Sequence, residues 1–101
     1  MSAGYSYTTI NSAPQEPTRI GVSFHLDSTA WIAACGLDND RPHLTIDHGD
    51  VTARIAPIPD AITSTDVRIA RRLADQAALY AAAVERVHAQ QAAQDATGTA
   101  A

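Results

Sequence analysis

The feature that most constrains this fold is a long C-terminal stretch, starting at Thr63, that contains about thirty residues without a Gly or a Pro. Ala dominates the stretch, and Ala is the strongest helix former. Thr63 and Asp66 have the spacing of a capping box, and Asp66 also lies near the positive end of the helix dipole. The sequence therefore predicts one helix over about residues 64–92. The final residues, 93–101, lack bulky side chains, and we expect a disordered tail there.

The predicted helix is longer than a small sheet can cover, because about 1.5 Å per residue makes it about 40–45 Å long. Its apolar residues recur at the alternating spacing of three and four that forms a heptad seam, and a row of Ala flanks that seam. We expect the bulky groups to pack on a sheet and the Ala-rich row to pack on a second copy of the chain. The predicted dimer interface comprises Ala70, Leu73, Ala77, Tyr80, Ala81, Val84 and Val87. The alternative is that the Ala row reflects helix propensity alone.

Residues 19–26 show the period-2 alternation of a strand with one buried face, since Ile20, Val22 and Phe24 alternate with small or polar residues. Residues 43–47 and 51–56 repeat this pattern on either side of a tight turn. Gly49 supplies the positive φ that such a hairpin turn often needs.

Residues 30–36 are ambiguous, because they fit either a strand or a short helix that Asp27 or Ser28 caps and Gly36 ends. The spacing favours a strand. Pro57 and Pro59 then end the run of strands, since neither can donate a hydrogen bond to a ladder.

The first 17 residues are polar and contain two Pro, which predicts a flexible N-terminal arm. Tyr5, Tyr7 and Ile10 leave an alternative open, because their spacing also suits an edge strand or a segment that orders on a partner. The resulting prediction is an α+β fold with a single domain over residues 18–92. In it, an antiparallel meander of three or four strands precedes one long C-terminal helix that packs on the sheet.

Composition excludes several classes of function. A length of 101 residues allows one small domain, and a net charge of −4 argues against nonspecific nucleic-acid binding, which needs a basic face. The single Cys35 excludes an intrachain disulfide and is consistent with a reducing compartment. Neither a signal sequence nor an apolar run long enough for a membrane span is present. We therefore expect a cytoplasmic protein without a membrane partner.

The residues that could carry chemistry are few. Zinc accepts thiolate, imidazole and carboxylate ligands, so the candidate metal set is Cys35, His43 and His48 with Asp47 or Asp50. Its spacing matches no known structural zinc site, and we predict no metal and no cofactor. A Cys–His hydrolase using Cys35 would need an oxyanion hole, and no nucleophile elbow or phosphate-binding loop is present. We therefore predict a protein that is not an enzyme.

A cluster of arginines lies in the first turns of the predicted helix, where the helix dipole disfavours cations. Such a placement suits contact with a phosphate or an acidic partner. The candidate contacts are Arg54, Arg68, Arg71 and Arg72. The alternative is that these side chains pair with nearby acids such as Asp75.

The segment from Thr63 to Ala74 fits the pattern T-x-x-D-x-x-x-A-R-x-L-A, through residues that include Asp66, Ala70, Arg71 and Leu73. In this it resembles small uncharacterised proteins of actinobacteria and their phages, in which a short sheet precedes an Ala-rich helix. The resemblance covers about a third of the chain and implies no activity. The order of strands and helix is also similar in architecture to the positive-cofactor-4-like family of single-stranded DNA binders, but a shared architecture does not imply a shared function.

These observations lead to a functional hypothesis. The chain is expected to be a non-enzymatic protein-interaction or regulatory module that acts as a homodimer, in the setting of a phage or mobile element. The alternative is a nucleic-acid-binding protein that uses Arg54 and the three helix arginines.

Overall fold

The computed structural model describes the backbone of residues 3–100 and the side chains of residues 3–96. It contains five antiparallel strands followed by one helix, which confirms the predicted α+β class with one strand more than expected. The elements are β1 (Tyr5–Asn11), β2 (Arg19–His25), β3 (Trp31–Cys35), β4 (His43–His48), β5 (Val51–Ile55) and α1 (Ser64–Ala100). The chain divides into two compact units, Met1–Pro57 and Ile58–Ala101.

Strands β1 and β2 form a two-stranded sheet of their own. Its register places Ile10 opposite Ile20, so these two side chains share one face with Val22 and Phe24. Residues 5–11 thus form the edge strand that the sequence left as an alternative to a flexible arm. The strand forms because β2 supplies a partner for its backbone groups, and that pairing is not visible in residues 1–17 alone.

The remaining strands form a three-stranded sheet in the order β3-β4-β5. Residues 31–35 are therefore a strand and not a short helix, as the spacing of the segment predicts. Gly49 has a φ of 58° in the turn between β4 and β5, as the hairpin prediction requires. Six apolar side chains of this sheet share one face because the registers pair them across all three strands: Ile32, Ala34, Leu44, Ile46, Ala53 and Ile55.

Helix α1 begins where the sequence predicts, because the capping box forms. The Asp66 N–H donates to Thr63 Oγ1 at 3.3 Å, and the Thr63 N–H donates to the Asp66 carboxylate at 2.8 Å. The predicted end at residue 92 is wrong, since the helix continues to Ala100. The expected disordered tail is therefore mostly helical, and the segment over residues 90–96 contains good helix formers and no Pro.

No hydrophobic side chain in the described part of the chain is buried. The most buried residue there is a polar one, Thr45 in the central strand β4, with 7% of its surface exposed. Each sheet and the helix carry an apolar face, yet large side chains on all three faces remain exposed. This is unusual, since a folded domain normally buries one such face against another.

Candidate functional site

The candidate interaction surface is one side of α1, and we call it the helix stripe. It consists of the seven residues predicted from the sequence: Ala70, Leu73, Ala77, Tyr80, Ala81, Val84 and Val87. With 3.6 residues per turn, these positions fall within an arc of about 120° around the helix axis. Most charged side chains of α1 lie on the opposite side, among them Arg68, Arg72 and Arg86. The helix is therefore amphipathic over most of its described length.

The bulky side chains of the stripe are all exposed. Their exposed fractions range from 37% for Leu73 to 72% for Tyr80, with Val84 and Val87 between these values. Exposed apolar groups that occur singly need no explanation, but a contiguous stripe of them is typical of an interaction surface. The predicted interface residues thus form one continuous exposed surface.

The four arginines proposed as partner contacts belong to two different units of the chain. Arg54 lies on β5 in the first unit, where the register pairs it with Thr45, whereas the other three lie on α1 in the second unit. Arg68 donates to Thr65 Oγ1 at 3.1 Å. Within the described residues, Arg71 and Arg72 form no ion pair with Asp75, so the local pairing considered from the sequence is not formed.

A second feature of the first unit is a cluster of hydrogen bonds around Asp27, in the connection between β2 and β3. Its carboxylate accepts from the Thr29 hydroxyl at 2.5 Å, the Gly4 N–H at 2.8 Å and the Thr29 N–H at 2.9 Å. His48 Nε2 lies 3.1 Å from the same carboxylate, and the His48 side chain is only 9% exposed. Asp27 thus ties the start of β1 to the end of β4.

These donors change the acidity of Asp27. The Thr29 hydroxyl contributes most, followed by the backbone N–H groups of Gly4 and Thr29, and together they hold the pKa of Asp27 well below the usual value for an aspartate. His48 lowers it further by a smaller amount. The sequence suggested Asp27 only as a helix cap. The residue order Asp-Ser-Thr was a signal for a local turn, but the contacts with Gly4 and His48 depend on tertiary structure.

The Asp27 cluster predicts a specific pH dependence of stability. A carboxyl whose pKa is lowered by folding stabilises the protein above its unfolded pKa of about 3.9, and this contribution is lost as the pH falls through that value toward the folded pKa. We expect the urea midpoint of the wild type to fall more between pH 6 and pH 3 than that of Asp27→Asn, measured by Trp31 fluorescence. Equal falls in both proteins would contradict a role for Asp27 in this dependence.

A third feature is a group of stacked rings on the first sheet. The His25 ring contacts two tyrosines, with ring centroids 4.4 Å from Tyr5 and 5.7 Å from Tyr7, and its plane is within 18° of both. These rings share one face because Tyr5 pairs with His25 across the ladder and Tyr7 is two residues along β1. The ring contacts add to the backbone hydrogen bonds that hold β1 on β2. In the sequence, the two-residue spacing of Tyr5 and Tyr7 indicated that their rings would share one face of a strand.

The candidate metal ligands are distributed over β3, β4 and the turn that follows β4. Cys35 pairs with His43 at one end of the ladder, whereas His48 lies at the other end and faces Asp27. Asp47 accepts a hydrogen bond from the Thr52 hydroxyl across the hairpin. In the described part of the chain, no group of three or more Cys, His, Asp or Glu side chains is placed to hold a metal ion.

Comparison of the chain with family models, with curated proteins and with solved structures finds no match. Over the residues that the structure describes, no helix is both long enough and apolar enough to cross a membrane.

Proposed function

We propose that this protein is a non-enzymatic interaction or regulatory module that acts as a homodimer through the helix stripe. The observation that carries the proposal is the absence of any buried hydrophobic side chain among the described residues, although the chain displays several apolar faces. Complete burial of one Val, Leu or Tyr-sized apolar group contributes about 1.5–3 kcal/mol. A second molecule that covers the stripe would therefore add substantially to the stability of the fold.

The composition of the helix stripe favours a second copy of the chain as the partner. Its seven positions contain no charged residue, and the first six, from Ala70 to Val84, alternate small with large side chains. A surface of this kind can complement itself, which is what the symmetric interface of a homodimer requires. The resemblance of residues 63–74 to actinobacterial and phage proteins supports the proposed setting in a phage or mobile element.

Nucleic-acid binding has less support. The chain has a net charge of −4. Counterion release from phosphates requires a basic surface, so we retain the interaction module as the proposed function.

The proposal is tested by light scattering over a concentration series. A monomer has a mass of 10.6 kDa, so a homodimer has twice that mass, about 21 kDa. We expect the dimer mass at micromolar concentrations, since pairing removes the apolar side chains of the stripe from water. A folded protein that keeps the monomer mass at every concentration would overturn the proposal.

A further inference from the structure

Resting on the proposed homodimer, we infer that the two copies of α1 pair antiparallel, with Ala77 of one copy against Tyr80 of the other. The inference concerns how the helix stripe recognises a second copy of itself. Two independent properties of α1 carry it, the order of side-chain sizes along the stripe and the distribution of charge along the helix.

The order of side-chain sizes disfavours a parallel, in-register pair. In such a pair each residue of the seam faces its own copy, so an Ala77 layer of two small side chains is followed one turn later by a Tyr80 layer of two large ones. The distance between two packed helix axes is about 8–10 Å along the contact. One distance cannot suit both layers, because it leaves a cavity at Ala77 or crowds the rings at Tyr80.

Antiparallel pairing removes this conflict. With the midpoint of the pair between residues 78 and 79, each layer combines a smaller side chain with a larger one. The facing pairs are Ala70 with Val87, Leu73 with Val84, and Ala77 with Tyr80 of the second copy. Layers of similar total volume fill the space between two helices at one constant separation, as close packing requires. The exposed fraction of Tyr80, 72%, leaves its ring free to enter the space above Ala77 of the partner.

The charge along α1 favours the same orientation. Residues 64–80 contain three Arg and two Asp, for a net charge of +1, whereas residues 81–96 contain one Arg, one Glu and one Asp, for a net charge of −1. An antiparallel pair places the positive half of each helix along the negative half of the other. Because most of these charges lie on the side of α1 away from the helix stripe, they form no direct ion pairs across it, and their contribution is long-range and smaller than that of packing. The helix macrodipoles then also oppose each other, which is the favourable arrangement.

The orientation is measured by pulsed electron paramagnetic resonance on the full-length chain. Cys35→Ser provides a background without a native thiol, and a nitroxide is then attached to Gln76→Cys or Gln90→Cys, both at exposed polar positions beside the stripe. In an antiparallel pair the two labels at residue 76 lie near the midpoint, within about 20 Å of each other, and those at residue 90 lie about 35 Å or more apart.

Each outcome separates the two proposals. A short distance at residue 76 with a long distance at residue 90 supports antiparallel pairing. Distances below about 20 Å at both sites would establish a parallel dimer and overturn the antiparallel orientation. Long and equal distances at both sites would overturn the stated register. Neither result would overturn the homodimer itself. No intermolecular coupling at either site, together with a monomer mass by light scattering, would overturn the homodimer itself.

Discussion

Replacement of both Ala77 and Ala81 by Glu should convert the proposed homodimer into a monomer or an unfolded chain. Both residues lie within the helix stripe, so each dimer would carry four carboxylates into a surface that is otherwise apolar. Removal of a carboxylate from water without a partner costs several kcal/mol. A loss of about 4 kcal/mol corresponds to about a thousandfold increase in the dissociation constant. Light scattering would show the change in mass, and circular dichroism would show whether α1 persists.

The chain offers a closely matched control for this variant. Ala78→Glu with Ala82→Glu adds the same two charges at the same spacing, but it lies one residue further along and therefore about 100° around the helix, toward the charged side. We expect this control to keep the dimer mass. Equal dissociation of the two variants would show that added charge, rather than the helix stripe, determines association. A dimer that survives Ala77→Glu with Ala81→Glu would exclude the stripe as the interface.

Gly4→Ala should destabilise the first unit by about 1–3 kcal/mol, the usual effect of overpacking a tight site. A Cβ at this position would lie 2.9 Å from the Asp27 backbone nitrogen and 2.9 Å from His48 Cε1, and it would approach the His25 carbonyl oxygen even more closely. Two of these three contacts are with backbone atoms, which cannot move away cheaply. The start of β1 would have to shift, and its 2.8 Å hydrogen bond to Asp27 would lengthen or break. Urea denaturation followed by Trp31 fluorescence measures the free energy of unfolding.

Gly21→Ala is the matched control, because a Cβ at Gly21 meets no atom within 4 Å. Gly21 lies inside β2, where a Gly weakens a strand through its backbone entropy. We expect this variant to be as stable as the wild type or slightly more stable. Equal stability of the two variants would show that the space around Gly4 is not tight enough to exclude a Cβ.

The sequence predicted those elements whose signals are local. The four strands from β2 to β5 were predicted to within one or two residues at each end, because alternation and turn residues act over a few positions. The start of α1 was predicted because Thr63 and Asp66 form their capping hydrogen bonds within one turn. The end of α1 was predicted too early, because the loss of bulky side chains after residue 92 does not remove the helix propensity of Ala and Gln.

The features that the sequence did not predict depend on contacts between distant residues. Residues 5–11 become a strand through pairing with β2, which begins eight residues after β1 ends, and the rings of Tyr5 and Tyr7 then meet His25. Asp27 contacts residues more than twenty positions away on either side, Gly4 and His48. Local periodicity carries no information about which distant segment supplies the partner.

For the helix stripe, the sequence alone determined which residues share one face, because 3.6 residues per turn places them there wherever the helix lies. Only the tertiary structure decided whether that face is covered. Burial depends on the whole path of the chain, and in the described residues that path leaves Leu73, Tyr80 and their neighbours exposed and buries no hydrophobic side chain. Helix geometry is a property of consecutive residues, whereas the covering of an apolar face is a property of the entire fold and of its partners.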